Sequence, residues 1–167
     1  MKNIFFCFFF IITCDSYGQS LSLWQLLPKS VNNKINRLSD KDKYLSDYKL
    51  FRLDLNLLTS KLEDKNDEYF ILDVPNSSGK LNKFKVFESS IMHPVLQNKY
   101  SNIKTYKGVG VDDPTATIRF SLSPLGLHSI SSSGTRSTLY IEPYSRSDDS
   151  LYIVFEKESV FGYESDF

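Results

Sequence analysis

Two histidines, His93 and His128, are the first candidates for chemistry in this sequence. A catalytic zinc site takes three protein ligands, and two of them are often histidines four residues apart on one helix. The sequence contains no His-Glu-x-x-His pattern, and both of its cysteines, Cys7 and Cys14, precede Asp15. We therefore predict structural roles for the two histidines. We predict that this chain is not an enzyme and has no catalytic residue, no cofactor-binding residue and no metal ligand.

Three short motifs have the spacing of chemical sites without the right surroundings. Ser77 and Lys80 have the Ser-x-x-Lys spacing of some hydrolases, but they lie in a turn-forming stretch, not on a helix. The Gly108–Gly110 pair lacks the third glycine and the helix of a phosphate loop, so we expect close strand packing there. The acidic run 40–47 lacks the glycine and closing glutamate of an EF-hand, which favours a solvated charge run.

Other polar and aromatic positions carry weaker signals. Asn76 begins an Asn-Ser-Ser glycosylation motif, a pattern that is common by chance. Aromatic residues on strands usually fill one face of a sheet, and a sugar-stacking platform is the alternative. Both possibilities apply to a late group of tyrosines, namely Tyr140, Tyr144, Tyr152 and Tyr163.

Residues 1–18 have the pattern of an export signal. Lys2 is followed by an apolar run from Ile4 to Thr13, which is too short to span a bilayer. Small residues occupy the −3 and −1 positions of a cleavage site between Gly18 and Gln19. We therefore predict a signal peptide over 1–18 and a secreted, extracellular product.

Cys14 supports an alternative to plain secretion. The sequence Ile-Ile-Thr-Cys resembles a lipobox, although Thr13 stands where Gly, Ala or Ser is usual. Acylation of Cys14 would make the product a surface lipoprotein. Cleavage after Gly18 would instead leave a mature chain without cysteine, which excludes disulfides, cysteine nucleophiles and thiolate metal sites.

The segment 19–47 is predicted to be a helical and linker segment. Leu27, Val31, Ile35 and Leu38 have the spacing of one helical face, and Pro28 limits how far that helix extends upstream. We expect a short helix followed by a solvated connector.

The segment 48–167 is predicted to be one β-rich domain. Apolar residues alternate from Phe51 to Leu57, which indicates a strand, and a helix is expected over Leu58–Leu62. Short alternating segments then follow between Gly, Pro and Asp turns, and a short helix is expected near residues 93–100. The predicted fold class is mainly β (α+β): an antiparallel sheet or sandwich with one or two short helices near the N-terminus.

Composition narrows the range of partners. The 167 residues include 20 Lys and Arg against 20 Asp and Glu, so the formal net charge is zero. Domains that bind nucleic acid usually have an excess of basic residues. We therefore predict no nucleic-acid partner, while a neutral total leaves room for local patches.

Three segments carry a resemblance to a known family. They are Phe84–Pro94 (FKVFESSIMHP), Gly108–His128 (GVGVDDPTATIRFSLSPLGLH) and Ser137–Tyr144 (STLYIEPY). Together they resemble the N-terminal propeptide region of secreted reprolysin-like (adamalysin-type) zinc metalloproteases of Bacteroidetes and Flavobacteria. The likeness spans roughly Leu50 to Glu156, most of the predicted mature chain.

The resemblance implies a role without chemistry of its own. In that family a signal peptide and a β-rich prodomain precede a zinc catalytic domain, whose His-Glu-x-x-His-x-x-Gly-x-x-His motif does not occur before Phe167. This chain is then expected to be a truncated or fragment form of a zymogen: a propeptide that inhibits the zinc metalloendopeptidase or assists its folding. The implied partner is the catalytic domain, in cis or in trans, and the zinc belongs to the full-length protease.

The resemblance leaves the mode of inhibition open. Family prodomains can silence the zinc with a cysteine, but no cysteine follows Cys14. Inhibition would be steric, or would use a carboxylate in the sequence YESDF at 163–167. Docking by strand addition at an exposed sheet edge is one expected mode. No membrane partner is expected after signal removal unless Cys14 is acylated.

The alternative function is a free-standing secreted β-sandwich that binds a glycan or a surface protein. It predicts an aromatic cluster exposed to solvent, for instance Tyr140, Tyr144 and Tyr152, where a sugar ring could stack.

Overall fold

The computed structural model describes residues 22–29, 41–63, 68–145 and 147–161. The predicted signal peptide, Cys14, the cleavage site at Gly18 and Gln19, the part of the predicted helix from Val31 to Leu38 and the carboxylates of 163–167 lie outside these residues. Within the described ranges, none of the helices has the length and apolar character that a membrane crossing requires.

Nine strands form one antiparallel sheet in the order β1-β2-β9-β8-β7-β6-β5-β4-β3, which confirms the mainly β prediction and selects the single sheet over the sandwich. The strands are β1 Trp24–Leu27, β2 Lys49–Leu53, β3 Phe70–Pro75, β4 Leu81–Glu88, β5 Lys104–Gly110, β6 Thr117–Ser123, β7 Gly126–Ser133, β8 Arg136–Pro143 and β9 Leu151–Glu156. Two short α-helices accompany them, α1 Leu55–Glu63 and α2 Pro94–Lys99, with 3-10 turns at Lys41–Tyr44 and Lys157–Ser159.

Alternation along the strands sets the two faces of the sheet. Ile118 and Phe120 on β6 are buried, while Thr117 and Arg119 between them are exposed. Successive side chains of a strand point to opposite faces, so every second residue enters the core. The core inside the curled sheet contains, among others, Phe51, Leu58, Val74, Phe84, Val86, Tyr106, Ile118, Leu127, Ile141, Tyr152 and Val154.

The two edge strands of the sheet meet, because the sheet curls around its core. Trp24 on β1 donates its indole N–H to the carbonyl oxygen of Asp73 on β3, at 2.9 Å. Leu26 of β1 lies against Gly79, where an added Cβ would come within 3.2 Å of Leu26 Cδ2. The edges are therefore in contact through side chains, although β1 and β3 are not neighbours in the hydrogen-bonded strand order.

Within the segment 19–47, which was predicted to be helical and linker, Trp24–Leu27 is instead strand β1. Trp24 is buried, and its ring contacts Phe51 and Tyr152 edge-on, with centroids 6.1 and 5.8 Å apart. The helical spacing of Leu27, Val31, Ile35 and Leu38 predicts a helix that begins at Leu27, which is instead the last residue of β1. Its β structure depends on the distant partner β2, which local spacing does not report.

Helix α1 begins earlier than predicted, so the strand predicted over Phe51–Leu57 ends at Leu53. Asp54 accepts a hydrogen bond from the Leu57 backbone N–H at 2.9 Å, which is an N-cap that starts the helix. Leu58 and Leu62, one turn apart, are buried in the core. The short helix predicted near 93–100 is confirmed as α2.

A second, smaller core lies on the outer side of β2 and β9. Leu50 and Ile153 point away from the inner core and are covered there by Leu45, Tyr144 and the partly buried Val160. As a result, the first five residues of β9 are buried on both faces.

Candidate docking face

The outer side of β3 to β7 is a basic and apolar surface that remains exposed. Strand register places Lys107 next to Arg119, and Arg119 next to Ile130, in one row across β5, β6 and β7. Ile130 is 42% exposed and Val109, one row away, is 41% exposed. We call this surface the basic face; its members are Ile71, Lys83, Lys85, Phe87, Lys107, Val109, Arg119, His128 and Ile130.

Lys85 is held in place on the basic face by two aromatic rings. Its ammonium lies 3.8 Å from the ring centroid of Tyr69 and 5.6 Å from that of Phe87. The two rings are themselves in contact, with centroids 6.2 Å apart. Cation–π contact at these distances orders the lysine without neutralising it. The charge of Lys85 is therefore presented at a defined place on the surface.

A groove of about 300 Å³ lies at one side of the basic face. We call it the Ile91 groove, since Ile91 and Ile130 form its apolar walls. The register places Thr105 opposite Ser121, and Ser121 opposite His128, along its floor. Glu142 lines the far end on β8, next to His128.

The loop that carries Ile91 is fixed although Ile91 itself is 73% exposed. Thr105 donates its hydroxyl to the Ser89 carbonyl at 2.6 Å, and the Ser89 N–H donates to the Thr105 carbonyl at 2.8 Å. Ser90 Oγ donates to Gln97 Oε1 at 2.6 Å, and Gln97 Nε2 donates to the Ile103 carbonyl at 3.1 Å. The two residues before Ile91 are thus held to β5 and to α2 by hydrogen bonds.

The basic and acidic side chains that line the groove lie on opposite sides of it. Arg119 and His128 lie diagonally across β6 and β7, each directly opposite an uncharged residue, Ile130 and Ser121. Glu142 faces the same space from β8, and it has interactions of its own. Beneath the groove, burial raises the pKa of Tyr106 to about 12, and its ring stacks on Phe120 at 4.8 Å.

Strand β7 explains why the sequence did not reveal this groove. Leu127 and Ile130 are three positions apart, so a regular strand cannot bury both. The structure buries Leu127 and Ser129 and turns Ile130 outward. Ser129 Oγ is the buried side-chain polar atom without a hydrogen-bond partner among the described residues. The odd spacing of the two apolar residues was the available signal.

The predicted structural histidines have different surroundings. His93 caps α2: its Nδ1 accepts a hydrogen bond from the Val95 N–H at 3.4 Å. His128 is exposed on the basic face and lines the groove, so it is not part of the core packing.

The other sequence motifs adopt local structural roles. Ser77–Lys80 lies in the turn between β3 and β4, where Asn76 Oδ1 accepts hydrogen bonds from the Ser78 and Lys80 N–H groups, each at 3.0 Å. The Asn76 amide also donates to Asn82 Oδ1 at 3.1 Å. At Gly108 a Cβ would lie 2.9 Å from both Ile118 Cγ2 and the Lys85 carbonyl, which confirms close strand packing.

Asp113 joins the β5–β6 loop to the β7–β8 hairpin. Its carboxylate accepts hydrogen bonds from the Thr115 hydroxyl at 2.5 Å and from the Ser133 hydroxyl at 2.7 Å, and Arg136 lies 3.5 Å away. These hydrogen bonds, aided by the Arg136 charge, lower the pKa of Asp113 to about 2. The hairpin end of the sheet is therefore held by a carboxylate that stays ionised.

The predicted alternatives for the tyrosines are resolved for three of them. Tyr144 and Tyr152 are buried, and Tyr140 is partly buried and stacks on Phe155 at 5.3 Å. These tyrosines fill the cores and form no exposed platform; Tyr163 lies outside the described residues. Across the same ranges, no three His, Cys, Asp or Glu side chains are grouped so that they could hold a metal ion.

Comparison with known proteins adds no relative: no family model, no curated protein and no solved structure matches this chain.

Proposed function

We propose that the chain is the prodomain of a secreted zinc metalloendopeptidase and that it docks onto the catalytic domain through the basic face. The proposed role is to cover the catalytic domain or assist its folding, in cis or in trans. The zinc and the bond-breaking chemistry belong to the catalytic domain, and no step of that chemistry is assigned to this chain.

One observation carries the proposal: the three segments that resemble propeptides converge on the Ile91 groove. The segment Phe84–Pro94 supplies Ile91, Gly108–His128 supplies Arg119 and His128, and Ser137–Tyr144 supplies Glu142. Segments far apart in sequence thus meet at one exposed place on the paired strands β4 to β8. Exposed apolar side chains with charged neighbours are typical of interaction surfaces.

The size and charge of the basic face fit a protein partner. Strands about 4.8 Å apart, rising about 3.3 Å per residue, give β3–β7 a projected outer area of roughly 450 Å². A standard interface covers about 800 Å² per partner, so this face supplies a large part of one. Lys83, Lys85, Lys107 and Arg119 favour a partner surface with carboxylates.

Face docking replaces the strand addition expected from the sequence. The edges of the sheet meet at Trp24 and Asp73, and the buried side chains of α1 pack inside the curl near β3. A partner strand would have to separate these contacts before it could pair with either edge, whereas the basic face is already accessible.

The test is inhibition in trans. The purified chain from Gln19 onward is mixed with the catalytic domain of a reprolysin-like metalloendopeptidase from the same organism, and peptide hydrolysis is measured. We expect inhibition and a stable complex on gel filtration with a dissociation constant of about 1 μM or lower. Unchanged hydrolysis together with no complex, at about tenfold higher concentration, would contradict the proposal.

A charge variant checks the face. Lys83→Glu with Lys107→Glu should weaken the complex at low salt, and the double variant Lys43→Glu with Arg52→Glu serves as the control, because both residues are exposed, on or just before β2, and outside the basic face. An equal loss of affinity in the two double variants would indicate a general charge effect and not a docking face.

A further inference from the structure

We infer that the Ile91 groove is an anchor site for one apolar side chain of the partner together with a carboxylate next to it. The inference rests on the proposed function for the identity of the partner, the metalloendopeptidase catalytic domain. The chemistry of the ligand is argued from the groove alone: a Leu-Asp type segment, in which an aliphatic residue precedes an acidic one.

The apolar half of the ligand follows from the walls. Ile91 and Ile130 face the same space and are 73% and 42% exposed, so their surfaces are left to water in the free chain. A volume of about 300 Å³ accommodates a Leu-sized side chain with part of its backbone. Burial of apolar area between two such walls is the usual source of affinity at an anchor.

The acidic half follows from the donors. Arg119 can bind a carboxylate in a bidentate manner, whereas His128 is the cross-strand neighbour of Glu142 and lies between the two ends. Lys107 is the neighbour of Arg119 on the other side, which adds to the positive potential. The ligand's carboxylate is therefore expected at the Arg119 end of the groove.

Glu142 fixes the orientation. It lies at the far end, so it repels a carboxylate placed there. A peptide bound in the reverse direction would bring its acidic group against Glu142 and lose the contact with Arg119. Discrimination of this kind depends on a repulsive element as much as on an attractive one.

The site is organised before binding. The hydrogen bonds from Thr105 to Ser89 and from Ser90 to Gln97 hold the loop of Ile91 in place without a ligand. A wall that does not have to be ordered on binding retains more of the contact energy as affinity. In this respect Ile91 differs from an exposed apolar residue on a loop that no hydrogen bonds hold.

The first test uses peptides and does not involve the enzyme. The ¹⁵N-labelled chain is titrated with Ac-Ala-Leu-Asp-Ala-NH₂, Ac-Ala-Leu-Asn-Ala-NH₂ and Ac-Ala-Ser-Asp-Ala-NH₂. We expect shifts at the amides of Ile91, Arg119 and Ile130 with the first peptide, at a dissociation constant of about 1 mM. The other two peptides should bind at least about fivefold more weakly. No shifts at about 10 mM, equal shifts with all three peptides, or shifts elsewhere would overturn the inference.

The second test uses the catalytic domain and matched variants. Ile91→Ser, Ile130→Ser and Arg119→Gln should each weaken the complex by about tenfold or more. Val95→Ser is the control, because Val95 on α2 is 70% exposed, is not a member of the basic face and does not line the groove. It should change the complex by less than about twofold. Melting temperatures of all four variants establish that they are folded.

The outcomes separate the two claims. A catalytic domain that binds the wild-type chain and the groove variants equally well overturns the anchor site and leaves the proposed function standing. Selective binding of the Leu-Asp peptide without any binding of the catalytic domain supports the anchor chemistry and contradicts the proposed function.

Discussion

A hydroxyl in the inner core gives the sharpest test of the packing that supports the basic face. Tyr152 on β9 is fully buried, and its oxygen accepts a hydrogen bond from the Leu127 backbone N–H at 3.1 Å. Leu127 lies on β7, two strands away, next to Gly126. The bond therefore ties β9 to the start of the strand that bears His128 and Ile130.

Tyr152→Phe leaves the Leu127 N–H buried without an acceptor. The cost of such an unsatisfied donor is about 1–3 kcal/mol, so we expect a loss of about 2 kcal/mol in the free energy of unfolding. For a chain of this size the melting temperature should fall by roughly 4–8 °C.

Gly126→Ala would place a Cβ against the same Tyr152 hydroxyl oxygen. Gly126 has a φ of 96°, and a Cβ there would lie 2.8 Å from the Tyr152 hydroxyl oxygen. Backbone strain contributes about 1–2 kcal/mol and the overpacking a further 1–3 kcal/mol, so we expect a loss of about 3 kcal/mol. Removing the hydroxyl relieves part of the second contribution: Tyr152 Cζ is 3.7 Å from the added Cβ, while Pro143 Cγ stays 3.1 Å away.

A double-mutant cycle measured by urea unfolding isolates this contact. The double variant should be about 1.5 kcal/mol more stable than the two single losses predict when they are added. Additive losses within about 0.3 kcal/mol would show that the hydroxyl and the glycine do not share the space described, and would refute the reasoning. Tyr140→Phe, whose ring lies on the other side of the sheet and stacks on Phe155, is the control.

Three further predictions address the core, the hairpin end and the basic face. Ser129→Ala should raise the free energy of unfolding by about 1 kcal/mol in urea titrations, because the buried Ser129 hydroxyl has no partner among the described residues; a loss of similar size would contradict this. Asp113→Asn should lower the melting temperature above about pH 5, and the difference from wild type should shrink as the pH falls through about 4 toward 2, because a carboxylate whose folded pKa is about 2 loses its contribution in that window; a difference that does not change with pH would contradict it. Lys107→Glu should slow association with the catalytic domain about threefold to tenfold at low salt in stopped-flow measurements, and the effect should fade at about 0.5 M salt; an effect that is independent of salt would contradict it.

The sequence predicted the local elements better than their partners. The predicted alternation of short strands with Gly, Pro and Asp turns agrees with the turn at Pro124-Leu125-Gly126, which separates β6 from β7. The end of β2 was misplaced because Asp54 acts as a helix cap, a role that alternation from Phe51 to Leu57 concealed. Strand β1 was missed because its structure depends on β2 and on the burial of Trp24.

The candidate site was less predictable than the fold. Its residues come from β5, β6, β7, β8 and the loop before α2, and only the register brings them together. His128 had been assigned a structural role because no second ligand accompanies it in sequence. The outward position of Ile130 depends on Leu127 taking the inward position on the same strand, which a single strand's sequence does not decide.

The strand order has a consequence for how this molecule is made. Strands β3 to β8 pair with their neighbours in sequence, so they can assemble as each is synthesised, but β2 pairs only with β1 and with β9. The N-terminal hairpin must therefore wait for a segment about 100 residues later, and closing so long a loop is slow. Until β9 emerges, Trp24 has no Tyr152 to pack against and the apolar interior stays open. We therefore expect the sheet to stay open during most of the chain's synthesis and to close only after β9 has been made.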